Sequence, residues 1–142
     1  MIHLDANFLI CAAGGNSPES EKLREWLRAG EILCMSAIAW AEYLCGEPLA
    51  EPNLPIARRL VVRQIDFTDE MAVLAARLFK ETGRHRRMFV DCMIAATAIA
   101  EQAPIATANL KDFRKFERFG LTLAPTNTHL SLIHISEPTR PY

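Results

Sequence analysis

Short apolar segments alternate with helical segments along most of this chain, and that alternation restricts the fold more than any other feature. Strands separated by helices pair in parallel through right-handed crossovers. The sequence therefore predicts a single α/β domain with a central, mainly parallel sheet. Five runs are predicted to be strands: 1–4, 32–35, 62–65, 104–106 and 121–123.

Recognisable start and stop signals separate these runs. Ser36 is a favourable N-cap for one helix, Thr68-Asp69-Glu70 opens another, and Gly30 is typical of a C-cap. The prolines between Pro48 and Pro55 predict a loop. Helices are predicted at 8–13, 19–29, 37–45, 56–60, 68–82 and 90–101.

Composition limits the function classes. The chain has 142 residues, half of them hydrophobic, which suits one domain with a real core. Its formal net charge of -1 gives no overall attraction to nucleic acid or membrane, so binding to a polyanion must be local. No signal peptide is predicted, and the longest apolar run, 92–100, is too short to span a bilayer. The four cysteines lack CxxC spacing, which predicts reduced, buried thiols and a cytoplasmic protein.

The C-terminal segment needs separate treatment. Residues 130–140 resemble the in-frame translation of a transposase sequencing adapter. We therefore interpret 1–129 as the domain and 130–142 as a tail that is not native, which leaves the native C-terminus open. Glu137 and Arg140 cancel, so the charge argument does not depend on the tail.

Two acidic residues stand where an open α/β fold would expose them. Asp5 follows the first strand, at the edge where such folds bind ligands, although an Asp there is equally typical of a helix N-cap. Asp91 lies in the first turn of an otherwise apolar helix. Burial of an unpaired carboxylate costs several kcal/mol, whereas the helix N-terminus contributes only about 0.3 to 1 kcal/mol. A cationic partner, such as a metal ion, is therefore favoured for Asp91.

Further polar residues follow two other strands. Glu42 interrupts an apolar helix after the second strand, although it also suits the solvated side of that helix. Thr107 and Asn109 follow the fourth strand, and Asp112 comes about one helical turn later; any of the three could be a capping residue. Because parallel strands end at one edge of the sheet, the repeated pattern predicts a divalent-metal site there.

The segments Leu4-Asp5-Ala6-Asn7, Ala41-Glu42-Tyr43, 90–96 and 107–113 resemble, in this order, the motifs of PIN-domain ribonucleases, and in detail those of VapC-type toxins. The resemblance extends over 1–123. It implies a three-layer α/β/α PIN-like fold, cleavage of RNA that depends on Mg²⁺ or Mn²⁺, a VapB-like antitoxin as partner, and a homodimer. The RNA target and the antitoxin's identity stay open.

The resemblance also assigns roles to residues. Metal-binding and catalytic roles fall on Asp5, Glu42 and Asp91, with Asp112 as a fourth catalytic acid and Asn7, Thr107 and Asn109 in support. Many relatives have Asp where this chain has Asn109, so the number of metal ions, one or two, and the residue that completes the acidic site stay open. Oxygen ligands suit Mg²⁺, which keeps several waters that can be activated for attack on phosphorus.

A basic run precedes the Asp91 helix. Arg84, Arg86 and Arg87 are predicted to bind RNA phosphates near the acidic site, although a solvated loop would have the same composition. Trp40, Tyr43 and Leu44 suit either an interface or the core. No histidine is required for the chemistry: His3 is predicted to be core, and His129 and His134 belong to the terminus.

Two other functions remain open from the sequence. A PIN-like module that binds RNA or protein without catalysis would be expected to lose Asp5 or Asp91, and both are present. A metal-dependent phosphatase of the haloacid dehalogenase type uses Asp-x-Asp, whereas this chain has Asp5-Ala6-Asn7.

Overall fold

The computed structural model describes residues 1–46 and 50–125. Four strands lie in these ranges: β1 (Ile2–Leu4), β2 (Leu33–Ser36), β3 (Arg63–Ile65) and β4 (Ile105–Ala106). They form one fully parallel sheet in the order β3, β2, β1, β4. The predicted parallel sheet is therefore confirmed.

Seven α-helices in the described residues connect and flank these strands in a three-layer α/β/α arrangement. Two 3-10 helices, Arg86–Met88 and Arg114–Phe119, precede α6 and follow α7. The helices are α1 (Ala6–Ala12), α2 (Pro18–Arg28), α3 (Ala37–Cys45), α4 (Ala50–Leu60), α5 (Asp69–Glu81), α6 (Phe89–Ala100) and α7 (Leu110–Phe113).

The predicted helix caps explain several of these boundaries. The Ser36 hydroxyl accepts a hydrogen bond from the backbone N–H of Ala39 at 2.9 Å, and Thr68 caps α5 in the same way through Met71 at 3.2 Å. Each cap satisfies a donor that the first helical turn leaves free. The chain therefore changes from strand to helix directly after Ser36, which fixes where α3 begins.

The core lies on both faces of the sheet. Leu4, Phe8 and Phe113 are completely buried, and Ile94 is nearly so. The apolar helix α6 packs on α5, and its alanines Ala95, Ala96 and Ala98 have no exposed surface. Small side chains allow close approach between packed elements, so these alanines let α6 pack closely on its neighbours.

The strand order creates a switch point between β1 and β4. From β1 the chain moves to β2 and β3 on one side, and it then returns to place β4 on the other side of β1. In open α/β sheets, ligands bind beyond the carboxyl ends of the strands at such a point. Asp5 follows β1 and Thr107 follows β4, so both lie at this crevice.

Two predicted elements were wrong. The loop expected from Pro48 to Pro55 is helical from Ala50 onward, with residues 47–49 outside the described part. Pro55 is tolerated inside α4 because Leu54, Ala57 and Leu60 pack against the core, and packing overrides a weak local preference. The fifth strand expected at 121–123 is only an isolated bridge between Leu123 and Ile105, since β4 has just two residues to pair with it.

The prediction for the cysteines was correct for two residues and wrong for two. Cys34 and Cys92 are buried, whereas Cys11 and Cys45 are exposed because they lie in the last turns of α1 and α3.

Each helix in the described residues is too short or too polar to cross a membrane. His129, His134 and the segment 130–142, interpreted as a non-native tail, lie outside the described residues.

Candidate metal centre

Asp5 is a buried carboxylate with two hydrogen-bond donors. Its side chain is 3% exposed. One oxygen accepts from the backbone N–H of Ala6 at 2.9 Å, and the other accepts from the hydroxyl of Thr107 at 2.9 Å. The first bond makes Asp5 the N-cap of α1, so the capping role is real. The second bond joins the ends of β1 and β4 and fixes the orientation of the carboxylate.

The hydrogen bonds continue from Asp5 to a second acid. The Thr107 hydroxyl donates to Asp5 and accepts from the backbone N–H of Asn109 at 2.9 Å. The Asn109 side-chain amide then donates to an oxygen of Asp112 at 3.1 Å. The polar residues after β4 therefore form one connected chain that links Asp5 to Asp112. Asn109 serves as a donor in this chain, a role that an ionised Asp could not fill.

Asp91 and Glu42 approach the same place from α6 and α3. Asp91 is half-buried in the first turn of α6. Burial, reinforced by the negative charges of Asp5, Glu42 and Asp112, raises the pKa of Asp91 to about 7. Glu42 is exposed, and partial desolvation and the charge of Asp5 raise the pKa of its carboxyl group. The four predicted acids therefore lie within range of one another's charges around Asp91.

The environment of Asp5 also disfavours the ionised form of its carboxyl group. Burial raises the pKa of Asp5, although its hydrogen bonds with Thr107 and Ala6 lower it in part. Like charges near one another favour the protonated form, and a bound cation would favour the ionised form instead. The arrangement can therefore hold a proton at Asp91 near neutral pH or exchange it for a cation.

The donor set fits a hard divalent cation that keeps part of its water shell. Within the described residues, no three His, Cys, Asp or Glu side chains form a group that could hold a metal ion by themselves. Mg²⁺ is usually bound through one or two carboxylates, with waters and substrate phosphates completing six oxygen ligands. Asp5, Glu42 and Asp91 are the acids that could supply such oxygens.

An open groove of about 460 Å³ borders this centre. Asn7 and Glu42 contribute polar groups to it, while Ile10, Ile38 and Cys45 contribute apolar surface. Asn7 is exposed at the start of α1, next to Asp5. The groove lies between α1 and α3 and offers a binding surface that reaches the edge of the acidic cluster.

The basic loop is exposed and lies before α6. Arg84 has a positive φ of 61°, and Arg86 and Arg87 form most of a 3-10 turn. All three side chains are exposed, as phosphate binding would require. Lys115, rather than an arginine of this loop, is the cation whose charge lowers the pKa of Asp91.

Lys115 is not among the site residues that were predicted from the sequence. It lies three residues after Asp112, and that spacing was the signal that could have identified it, because residues three apart are neighbours on a helix.

His3 is 2% exposed, as predicted for a core residue. Tyr43 is buried, Trp40 is half-buried and Leu44 is exposed, so this group divides between core and surface.

Comparison with known proteins gives one family and a set of similar structures. The family model described as PIN domain matches residues 2–118. A chain in the crystal structure of VapBC2 from Rickettsia felis bound to a DNA fragment from their promoter has 23% identity and a TM-score of 0.69, covering 87% of this chain and 98% of that one. FitAcB from Neisseria gonorrhoeae has 22% identity and a TM-score of 0.67, covering 89% and 98%. VapBC-1 from nontypeable Haemophilus influenzae has 20% identity and a TM-score of 0.67, with the same coverage. No curated protein sequence matches the chain.

Proposed function

The chain belongs to the PIN domain family, and from that premise we propose that it is a divalent-metal-dependent endoribonuclease that acts as the toxin of a VapBC-type toxin–antitoxin pair. The similar structures from Rickettsia felis and Haemophilus influenzae are VapBC proteins, and their shared fold with this chain supports the proposal. Mg²⁺ or Mn²⁺ is the cofactor that we propose, and RNA is the substrate.

The observation that carries this proposal is the electrostatic coupling of the four acids. Asp5, Glu42 and Asp112 all raise the pKa of Asp91, which reaches about 7. A fold gains no stability from gathering four carboxylates at one sheet edge, because like charges repel and burial adds a desolvation cost. A cation-dependent reaction explains the cluster, since the bound ion reverses the repulsion.

We propose Asp5, Glu42 and Asp91 as the metal-binding residues, each holding the ion directly or through one of its waters. When bound, the ion lowers the pKa of a water and stabilises charge on the phosphate. Thr107 orients the Asp5 carboxylate through its hydrogen bond, and Asn109 orients Asp112. In the hydrolysis that we propose, the water oxygen forms a bond to phosphorus and loses a proton to an ionised carboxylate of the cluster. The bond from phosphorus to the leaving ribose oxygen breaks, and that oxygen takes up the proton that the carboxylate received, so the carboxylate returns to its ionised form.

Positive charge must guide RNA to an acidic centre. We propose that Arg84, Arg86 and Arg87 bind phosphates on the path to Asp91, because they are exposed and directly precede its helix. Asn7 lies at the start of the groove beside Glu42 and would contact the substrate or a metal-bound water. A single-stranded or looped RNA fits an open groove better than a continuous duplex does.

We also propose a VapB-like antitoxin as partner and a homodimeric toxin. The structures of similar fold are complexes named VapBC or FitAcB, which supports a two-component system. The groove between α1 and α3 combines apolar walls with Glu42 at its edge, so a segment seated there would cover the acidic centre. Mass measurement by light scattering tests the dimer directly.

The central experiment measures RNA cleavage by the purified chain without residues 130–142. Wild type and Asp91→Asn are incubated with a mixed RNA pool in Mg²⁺, in Mn²⁺ and in EDTA. We expect cleavage by wild type in both metals, and loss of cleavage in EDTA and in the variant. Asn matches Asp in size, so a change in activity reports the lost charge. Circular dichroism of both proteins serves as the folding control.

Each contrary result indicates a different function. Equal cleavage by wild type and Asp91→Asn would mean a contaminating nuclease. A folded wild type that binds RNA but cleaves none of it in any metal would favour a non-catalytic module. Release of phosphate from a monoester, without RNA cleavage, would favour the phosphatase. The presence of Asp5 and Asp91 and the absence of an acid at Asn7 argue against these last two functions.

A further inference from the structure

Lys115 is a cation placed at the edge of an acidic centre. Three carboxylates raise the pKa of Asp91, and the Lys115 ammonium acts in the opposite direction. Its charge also lowers the pKa of the neighbouring Cys92 thiol. Independently of these charge effects, Lys115 follows Asp112 by one turn of the segment, and Asp112 is joined to the centre by the hydrogen bond from Asn109.

The local helix geometry explains this position. The chain passes from α7 into the 3-10 helix Arg114–Phe119, so Asp112 and Lys115, three residues apart, lie on one side. Phe113 and Phe116 have the same spacing on an adjacent side, which is buried. Both are fully buried, with ring centroids 5.9 Å apart in an edge-to-face contact. These two anchors hold the segment and keep Lys115 beside Asp112.

Lys115 differs from the other cations of this segment in its environment. Arg114 and Arg118 are exposed, whereas Lys115 is half-buried. Arg118 is already engaged, because it donates to the backbone carbonyl of Glu81 at 2.9 Å and stacks on Phe119. Among the side chains that the structure describes, no carboxylate is paired with Lys115 within 4.0 Å. Its ammonium can therefore accept an external anion.

We propose that Lys115 binds the scissile phosphate of the RNA and holds it against the acidic centre. This inference rests on the proposed ribonuclease function and adds a cationic residue to it. A phosphodiester that approaches four carboxylates meets repulsion, and a half-buried ammonium at the same edge offsets it. Lysine suits the task as a compact point charge that can follow the phosphate as charge grows on its oxygens.

The test compares Lys115→Gln, Lys115→Arg and a matched control, Lys111→Gln. Lys111 is an exposed cation on α7, four residues away in the same segment. We expect Lys115→Gln to lower kcat/KM for RNA cleavage about 10- to 100-fold. Lys115→Arg retains the charge and should recover most of the rate, and Lys111→Gln should stay within about 2-fold of wild type.

A second measurement does not depend on catalysis. Binding of a fluorescent single-stranded RNA is followed against salt concentration, with Ca²⁺ in place of Mg²⁺. Each phosphate contact to a single strand contributes about 0.7 to the slope of log K against log salt. Lys115→Gln should reduce the slope by about that amount, whereas Lys111→Gln should leave it unchanged.

Control measurements separate this role from a structural one. A lysine that merely steadies the acids would lower the thermal midpoint or change Mn²⁺ affinity without changing the salt slope. An unchanged slope in Lys115→Gln would overturn the phosphate contact, and so would a failure of Lys115→Arg to restore cleavage. If wild type does not cleave RNA, the proposed function fails, while the salt slope still decides whether Lys115 binds phosphate.

Discussion

Strand β1 carries two buried ionisable residues, and their surroundings are opposite. Asp5, at its carboxyl end, accepts hydrogen bonds from Ala6 and Thr107 and lies among other acids. His3, two residues earlier, is equally buried, but its Nε2 has no hydrogen-bond partner among the described residues. Burial lowers the pKa of His3 to about 4, with Arg63 and the N-terminus adding to the effect.

This contrast between Asp5 and His3 shows how a candidate site residue differs from a core residue. Asp5, in the site that we propose, is held by donors that orient it and lies among acids that make its charge costly unless a cation is bound. A core imidazole stays neutral, and the surrounding protein makes no use of its second nitrogen. Burial alone therefore does not identify a site; hydrogen-bond donors and like charges around the buried group do.

The largest expected effect comes from Asp5→Asn. A metal ion contributes several kcal/mol of transition-state stabilisation, and each 1.36 kcal/mol is tenfold in rate, so we expect cleavage to fall about 1,000-fold. Asn still caps α1 through its side-chain oxygen, so the protein should stay folded, with a modest fall in the thermal midpoint because Thr107 loses its acceptor. Single-turnover cleavage and thermal unfolding check the two parts. Loss of folding together with activity would remove the distinction between Asp5 and a core residue.

His3→Leu tests the other side of the comparison. The folded pKa of His3 is about 4 against an ordinary value of 6.5. The unfolded state therefore binds more protons in this window, and stability that is present above pH 6.5 is lost as the pH falls toward 4. At 1.36 kcal/mol per unit of pH, the loss is about 3 kcal/mol.

The Leu variant should lack this contribution and still cleave RNA at the wild-type rate. Urea unfolding at pH 7 and pH 4.5 measures the difference between the two proteins. Exposed His85→Leu is the control, because it removes a histidine without removing a buried one. A pH dependence in His3→Leu that equals that of wild type would show that the imidazole is not the group responsible.

Much of the site was predictable because it depends on local sequence. Asp5 follows a strand, Asp91 lies in the first turn of its helix, and Glu42 and Asp112 lie in the helices that follow β2 and β4. The apolar patterns of these elements are clear, and a parallel sheet brings such positions to one edge. The hydrogen bonds from Thr107 and Asn109 were not predictable in detail, because they depend on how β4 lies against β1. The cation whose charge acts on Asp91 was not predictable either, since Lys115 comes near α6 only through the packing of the fold.

The errors have the same origin. The sequence Ala50 to Pro55 has weak helix signals, and only the packing of α4 on the core makes it helical. Residues 121–123 have a typical strand pattern, but pairing requires a neighbour of matching length, and β4 ends after two residues. Local sequence preference therefore predicts the elements whose apolar pattern is strong. Packing against the rest of the fold determines the structure of α4 and of residues 121–123.

Thr107→Val sharpens the comparison by removing one donor from Asp5. The hydroxyl holds the carboxylate at 2.9 Å, and loss of an outer partner of a metal site costs about 10- to 100-fold in activity or metal affinity. We expect that range in kcat and in the Mn²⁺ dissociation constant. Thr97→Val is the matched control, since Thr97 is also buried but donates only to Met93 within α6. Equal losses in both variants would mean a packing effect.

The smallest expected effect is a gain in stability from Asp91→Asn without metal. The pKa of Asp91 is raised to about 7, so the folded state binds more protons than the unfolded state, and stability present below pH 3.8 is lost as the pH rises through 7. This slope is opposite to that of His3. Discounted for partial exposure, the variant should be about 1 to 2 kcal/mol more stable than wild type at pH 8 in EDTA.

Saturating Mn²⁺ should reverse the order of stability between Asp91→Asn and wild type, because only wild type gains the full binding energy of the metal. Exposed Asp66→Asn is the control. If Asp91→Asn is less stable than wild type in EDTA at pH 8, the cluster carries no repulsion, and Asp91 would have to be classed with the core groups.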